Sequence, residues 1–216
     1  MKAVSSPLTK TALLAGALLL GATSCDDMND AVKGPKTTLT FVGDSIIDCW
    51  DVTSFFPGWD TVNEGISGSR IEYLHERAGR YTGKEIVVMI GTNNYYLMAA
   101  DTRDEYVAEY VDAIIALDAD FVYLYSVLPR SRSTVYDPST DVNADIRAFN
   151  AAVKEQVQSR DDIYYIDIHD KFTRPGAEII SGCYIDGLHL NKDGYRVMTE
   201  ALYQTVVGKY NNNDQA

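Results

Sequence analysis

The sequence predicts a single α/β domain, a three-layer α/β/α sandwich built on a five-stranded parallel sheet. Short apolar runs rich in β-branched and aromatic residues recur between residues 38 and 168, and they alternate with longer segments whose apolar residues fall at helical spacing. Alternation of this kind argues for parallel strands joined by helical crossovers. The chain between its polar ends is also the right size for one domain with a substantial core.

The first strand candidate spans 38–43, where Thr38-Leu39-Thr40-Phe41-Val42 reads as a buried strand. Further candidates follow at 60–64, 85–91, 120–127 and 163–168. The helical segments between and after them are 69–78, 103–118, 141–159 and 191–208. In 141–159, Val142, Ile146, Phe149, Val153 and Val157 repeat at helical spacing. In 191–208, Tyr195, Met198, Leu202 and Val206 form the face expected to pack inward. No internal repeat or low-complexity segment interrupts this series.

The ends read differently. Lys2 and Lys10 precede an apolar run from Thr11 to Thr23, which is too short for the roughly 20 residues of a membrane-spanning helix. Residues 1–24 therefore read as a secretory signal. The stretch Ala22-Thr23-Ser24-Cys25 resembles a bacterial lipobox, with alanine where leucine is usual. The resemblance implies lipidation at Cys25, membrane attachment through acyl chains, and a place in the bacterial cell envelope, periplasmic or at the cell surface. Residues 25–36 are polar and aperiodic and read as a tether, 37–210 as the folded domain, and 211–216 as a frayed tail.

Charge and cysteines narrow the partners. The chain carries 19 basic and 31 acidic residues, a formal charge of −12. Such a surface repels polyphosphate backbones, so nucleic acid is not an expected partner. With Cys25 assigned to lipid, Cys49 and Cys183 are the remaining thiols, either bridged or separately buried. No heptads or long apolar stripe announce an oligomer.

The chemistry lies in two distant stretches. Gly43-Asp44-Ser45-Ile46 places a serine just past a strand's carboxyl end, where open α/β sheets bind ligands. Asp186-Gly187-Leu188-His189 places a carboxylate and an imidazole three residues apart, close enough for one to orient the other. Two further blocks, Asn63-Glu64-Gly65-Ile66-Ser67-Gly68 and Gly91-Thr92-Asn93-Asn94, fall at predicted strand ends, and Leu190-Asn191-Lys192-Asp193-Gly194-Tyr195 continues the last block.

Four blocks in this order and spacing resemble the SGNH, or GDSL-type, hydrolase superfamily, over about residues 38–208. The resemblance implies a flavodoxin-like strand order and an esterase acting through an acyl-serine intermediate without cofactor. It makes Ser45 the nucleophile, His189 the general base and then acid, and Asp186 the holder of the imidazole tautomer. The oxyanion hole would be the Ser45 amide, the Gly68 amide and the Asn93 side chain. Gly65 is assigned to turn geometry or close packing. Asn94 stands where many relatives carry aspartate, a change bearing on how that loop is held. Small members often remove acetyl or other short acyl groups from carbohydrates, so a glycan ester is the first expected substrate. The other readings are a lysophospholipase- or thioesterase-like lipid hydrolase, an O-acyltransferase, and a non-catalytic glycan-binding lipoprotein.

Other conspicuous residues carry plainer readings. His75 reads as a solvated helix face and His169 as structural or surface. Asp26-Asp27 and Asp161-Asp162 read as solvated charge, so no metal is expected. Tyr95 and Tyr96 suit either the substrate cleft or packing. Arg130 faces the carboxyl ends of the strands, there either to serve the site or to order a loop.

Overall fold

Leu39–Gly43 forms β1, buried along its whole length, as expected of a strand covered by helices on both faces. The computed structural model describes residues 37–174 and 179–213. The expected signal segment 1–24, Cys25, the tether up to residue 36 and residues 214–216 lie outside the described residues.

Four strands join β1 in parallel: β2 (Thr61–Asn63), β3 (Glu85–Met89), β4 (Phe121–Tyr125) and β5 (Ile163–Ile166). Their order is β2-β1-β3-β4-β5, which is flavodoxin-like. The chain leaves β1 for one neighbour and crosses back to β3 on the other side. The carboxyl end of β1 therefore borders the crevice where the order reverses, the position that open α/β sheets use for ligands.

Strand pleat sends alternate side chains to opposite layers. Ile86, Val88, Val122 and Leu124 enter a core with residues from α3 (Glu72–His75), α4 (Arg103–Ala116) and α5 (Val142–Val157). Phe41, Val87, Met89, Tyr123 and Tyr125 enter a second core with α1 (Ser45–Asp48), α2 (Val52–Phe55) and α6 (Lys192–Asn213). Asp141 caps α5 by accepting the Ala144 amide at 3.3 Å, and the five residues expected to face inward on this helix are all buried. The expected α6 face of Tyr195, Met198, Leu202 and Val206 is buried as well.

The differences from expectation are local. Segment 69–78 contains one α-turn, because the amides of Tyr73 and Leu74 bond three residues back to Arg70 and Ile71, a tighter winding. Its end is then drawn off by the Gly79 amide, which donates to the Ala116 carbonyl at 2.7 Å. At the other end of the chain α6 continues to Asn213, so residues 211–213 are helical where a frayed tail is expected. Cys49 and Cys183 are free thiols. Cys49 closes α1 at the surface and is exposed, while Cys183 is half-buried in a turn ahead of α6, so neither a bridge nor a pair of buried thiols forms.

Candidate active site

Ser45 is the first residue of α1, immediately beyond β1 and Asp44. Asp44 is the helix cap: its Oδ1 accepts the Ile46 amide at 3.0 Å, which turns the chain sharply from strand to helix. Ser45 is only 6% exposed. The turn is held from outside by Asn63 of β2, whose side-chain amide donates to the carbonyls of Ile47 at 2.7 Å and Trp50 at 3.0 Å. From α6, the Tyr195 hydroxyl donates to the Ile46 carbonyl at 2.9 Å.

Asp186 and His189 reach the same place from a loop closed by an antiparallel bridge between Tyr184 and Leu190. His189 Nε2 stands 3.1 Å from Ser45 Oγ, and His189 Nδ1 stands 2.8 Å from Asp186 Oδ2. With Nδ1–H donated to the carboxylate, Nε2 is left to accept the serine proton. The other oxygen of Asp186, Oδ1, accepts the amides of Leu188 at 2.9 Å and His189 at 2.7 Å. The bond from the His189 ring, followed by these two amides, holds the Asp186 carboxyl well below the usual carboxylate range. The carboxylate thus stays charged beneath an imidazole that must become positive when it takes a proton.

Besides the Ser45 amide, the predicted oxyanion donors are Gly68 and Asn93. Gly68 has φ of +83°, a left-handed conformation that side chains rarely adopt. The turn ahead of it is tied to α1, because Asp48 Oδ2 accepts both the Ser67 amide, at 3.1 Å, and the Ser67 hydroxyl. Gly65 serves close packing: a Cβ there would come within 2.4 Å of the Asp48 amide nitrogen. Asn93 lies in a 3₁₀ segment, Thr92–Met98, and donates one side-chain hydrogen to the Ser69 carbonyl at 2.9 Å, which leaves its second for another acceptor. Buried Asn94 accepts the Ile71 amide at 3.1 Å and so joins the two loops.

Arg130 orders a loop. It is buried and donates from Nη1 to the Thr92 carbonyl at 2.9 Å and from Nε to Thr134 Oγ1 at 3.0 Å, with Tyr95 stacked 4.3 Å from its guanidinium carbon. Tyr95 in turn accepts the Tyr136 amide at 2.9 Å, so Tyr95 packs while Tyr96 is 51% exposed. His75 is half-exposed, 3.3 Å from Glu109. His169 is buried with Nδ1 3.0 Å from Asp170, a structural place. Among the described residues no group of three or more His, Cys, Asp and Glu is arranged to hold a metal. Asp48, Asn63 and the buried carboxyl of Asp44 are absent from the sequence-level site. Asn63 and Asp48 contact the Ser45 turn and the Ser67 turn through tertiary packing, while Asp44 caps the Ser45 turn locally.

The profile of the GDSL-like lipase/acylhydrolase family matches residues 41–197. A GDSL-like lipase from Bacteroides thetaiotaomicron is similar in structure, at 20% identity and a TM-score of 0.66, over 86% of this chain and 96% of that one. An acetyl xylan esterase from Geobacillus stearothermophilus is similar at 17% identity and a TM-score of 0.61, over 80% of this chain and 95% of that one. A lipase/acylhydrolase from Enterococcus faecalis is similar at 17% identity and a TM-score of 0.59, over 80% and 96%. No curated protein matches the sequence.

Proposed function

Because the chain belongs to the GDSL-like lipase/acylhydrolase family, we propose that it is a serine esterase that removes acetyl or other short acyl groups from carbohydrates. The observation that carries this reading is the continuous line from Asp186 through His189 to Ser45, with spacings of 2.8 and 3.1 Å. His189 removes the Ser45 proton as Oγ attacks the ester carbonyl. The oxyanion is received by the amides of Ser45 and Gly68 and the free hydrogen of Asn93. Collapse of the tetrahedral intermediate expels the alcohol, protonated by His189, and water repeats the sequence on the acyl-serine.

The carbohydrate half of the reading draws on an exposed aromatic side chain in the Thr92–Met98 segment, which also carries Asn93. Tyr96, 51% exposed with Arg70 5.8 Å from its ring, offers an aromatic face of the kind that sugar rings stack upon. Acetyl xylan esterases share this fold. An envelope lipoprotein held through Cys25 would meet such glycans outside the cytoplasm, so the anchor belongs to the same proposal.

Purified protein offered aryl acetate, butyrate and octanoate tests it. Release of product, fastest from acetate and abolished in Ser45→Ala, is the expected result. Preference for octanoate would move the assignment to lipid esters, transfer to an added sugar hydroxyl in place of water would make it an acyltransferase, and no turnover of any ester would leave a binding module.

A further inference from the structure

Beneath the nucleophile lies a carboxyl that the hydrolytic steps above do not use. Asp44 is fully buried. Oδ1 accepts the Ile46 amide of the Ser45 turn at 3.0 Å. Oδ2 is sealed from solvent without a hydrogen-bond partner, and the Thr92 amide acts on the carboxyl as a whole. Thr92 immediately precedes Asn93, so one carboxyl stands between the segment that carries the nucleophile and the segment that carries the predicted side-chain oxyanion donor. The main chain repeats the join, since the Asp44 amide donates to the Met89 carbonyl at 3.3 Å, at the end of the strand leading to Thr92.

A helix cap has no need of this residue. Serine or asparagine would satisfy the Ile46 amide equally well, without placing a second oxygen in a sealed space. Burying a carboxyl with an unsatisfied oxygen is costly, and such a cost is kept where it serves a site. We propose that Asp44 is a positioning residue, which fixes the Ser45 turn against the Thr92–Asn93 segment and supplies a buried negative charge that stabilises the protonated His189 formed during acyl transfer. This rests on reading Ser45 and His189 as nucleophile and base.

The surroundings fit the role. Burial pushes the Asp44 carboxyl up to about 7, opposed by the Ile46 and Thr92 amides and by His189 and Arg130. The other titratable groups that face it are Tyr106 and Tyr110 from α4 and Tyr195 from α6, all held neutral by their own burial. Asp44 is therefore the acid of this cluster that changes charge in the neutral range, when the amides on either side of it gain a full carboxylate.

Two variants test the assignment with aryl acetate as substrate. Asp44→Ser keeps a cap for Ile46 and cannot reach Thr92; Asp44→Asn keeps the shape and drops the charge. Both should fold, hold KM within about threefold, and lose roughly 10- to 100-fold in kcat, about the loss from one preorganised electrostatic contact or less. The difference in Tm between wild type and Asp44→Asn should also drift against the wild type between pH 5.5 and 8.5, as the buried acid ionises. Wild-type kcat in both variants, or a loss of kcat that only follows the folded fraction while the Tm difference stays flat with pH, would overturn it. If the wild type turns over ester and Ser45→Ala does not, that failure belongs to Asp44 alone. If the wild type hydrolyses no ester, the esterase reading falls first, and the role given to Asp44 falls with it.

Discussion

Asp186 grips His189 at two points: Oδ2 takes the ring Nδ1 at 2.8 Å, and Oδ1 takes the backbone amide of the same residue at 2.7 Å. One carboxylate thus fixes both the direction of the imidazole and the loop that carries it. Replacing Asp186 with alanine should cost on the order of 10³ to 10⁴ in kcat, because the ring loses its tautomer as well as its position. Both side chains are partly exposed, so little core is disturbed and Tm should fall by only a few degrees as the loop loses its bonds to the carboxylate. Steady-state kinetics beside a thermal melt separate the two effects.

The same hydrogen bonds hold the Asp186 carboxyl well below its usual range. A carboxyl lowered in this way supports the folded site at every pH above the ordinary carboxylate range and withdraws only in stronger acid. Loss of activity between pH 8 and 5 should therefore not come from Asp186. An NMR titration of the Asp186 carboxyl with its midpoint in that interval would contradict this.

Asn93→Ala removes the predicted side-chain donor to the oxyanion and should lower kcat by about 10²- to 10³-fold with a much smaller effect on KM. The variant also frees the Ser69 carbonyl, which now accepts from Asn93 at 2.9 Å. A loss that appears mainly in KM would show that Asn93 holds the loop without meeting the transition state.

Gly65→Ala should be harmful although it adds a single methyl group. That carbon would come within 2.4 Å of the Asp48 amide nitrogen, a backbone atom of α1 that cannot step aside as a flexible side chain would. A destabilisation of about 1–3 kcal/mol in urea unfolding is expected, together with reduced turnover as α1 shifts. Unchanged stability would mean that α1 tolerates displacement from the Gly65 turn.

Tyr96→Ala should leave aryl acetate hydrolysis within about twofold of the wild type and weaken kcat/KM on an acetylated oligosaccharide by about tenfold, the order of one lost aromatic contact. Equal losses on both substrates would place Tyr96 in support of the 92–98 segment instead.

Most of the sheet was legible because buried parallel strands need apolar runs, as β1, β3, β4 and β5 show; β2 is largely exposed, and all five appear within three residues of their expected ends. The long helices α4, α5 and α6 were legible from their apolar spacing. Segment 69–78 was not, since its winding is decided by bonds to Asn94 and Ala116, partners far along the chain. At the candidate site, Ser45, Gly68, Asn93, Asp186 and His189 are recognisable through their local blocks. Asn63 opens one of those blocks, but its bonds to Ile47 and Trp50, like the bond from Ser67 to Asp48, are made only when folding brings the partners together. The cysteines show the converse: convergence of two motifs does not bring their neighbouring thiols into bonding geometry.

Ser45 follows the first strand, and His189 lies three residues ahead of the last helix, where Tyr195 stacks 5.7 Å from Trp50 and bonds to the Ile46 carbonyl. A separation of 144 positions must be closed before these ends can meet. Ester hydrolysis is therefore a readout of completed folding. During refolding it should lag behind secondary structure, and a chain cut between the two ends should regain activity only when both fragments reassociate.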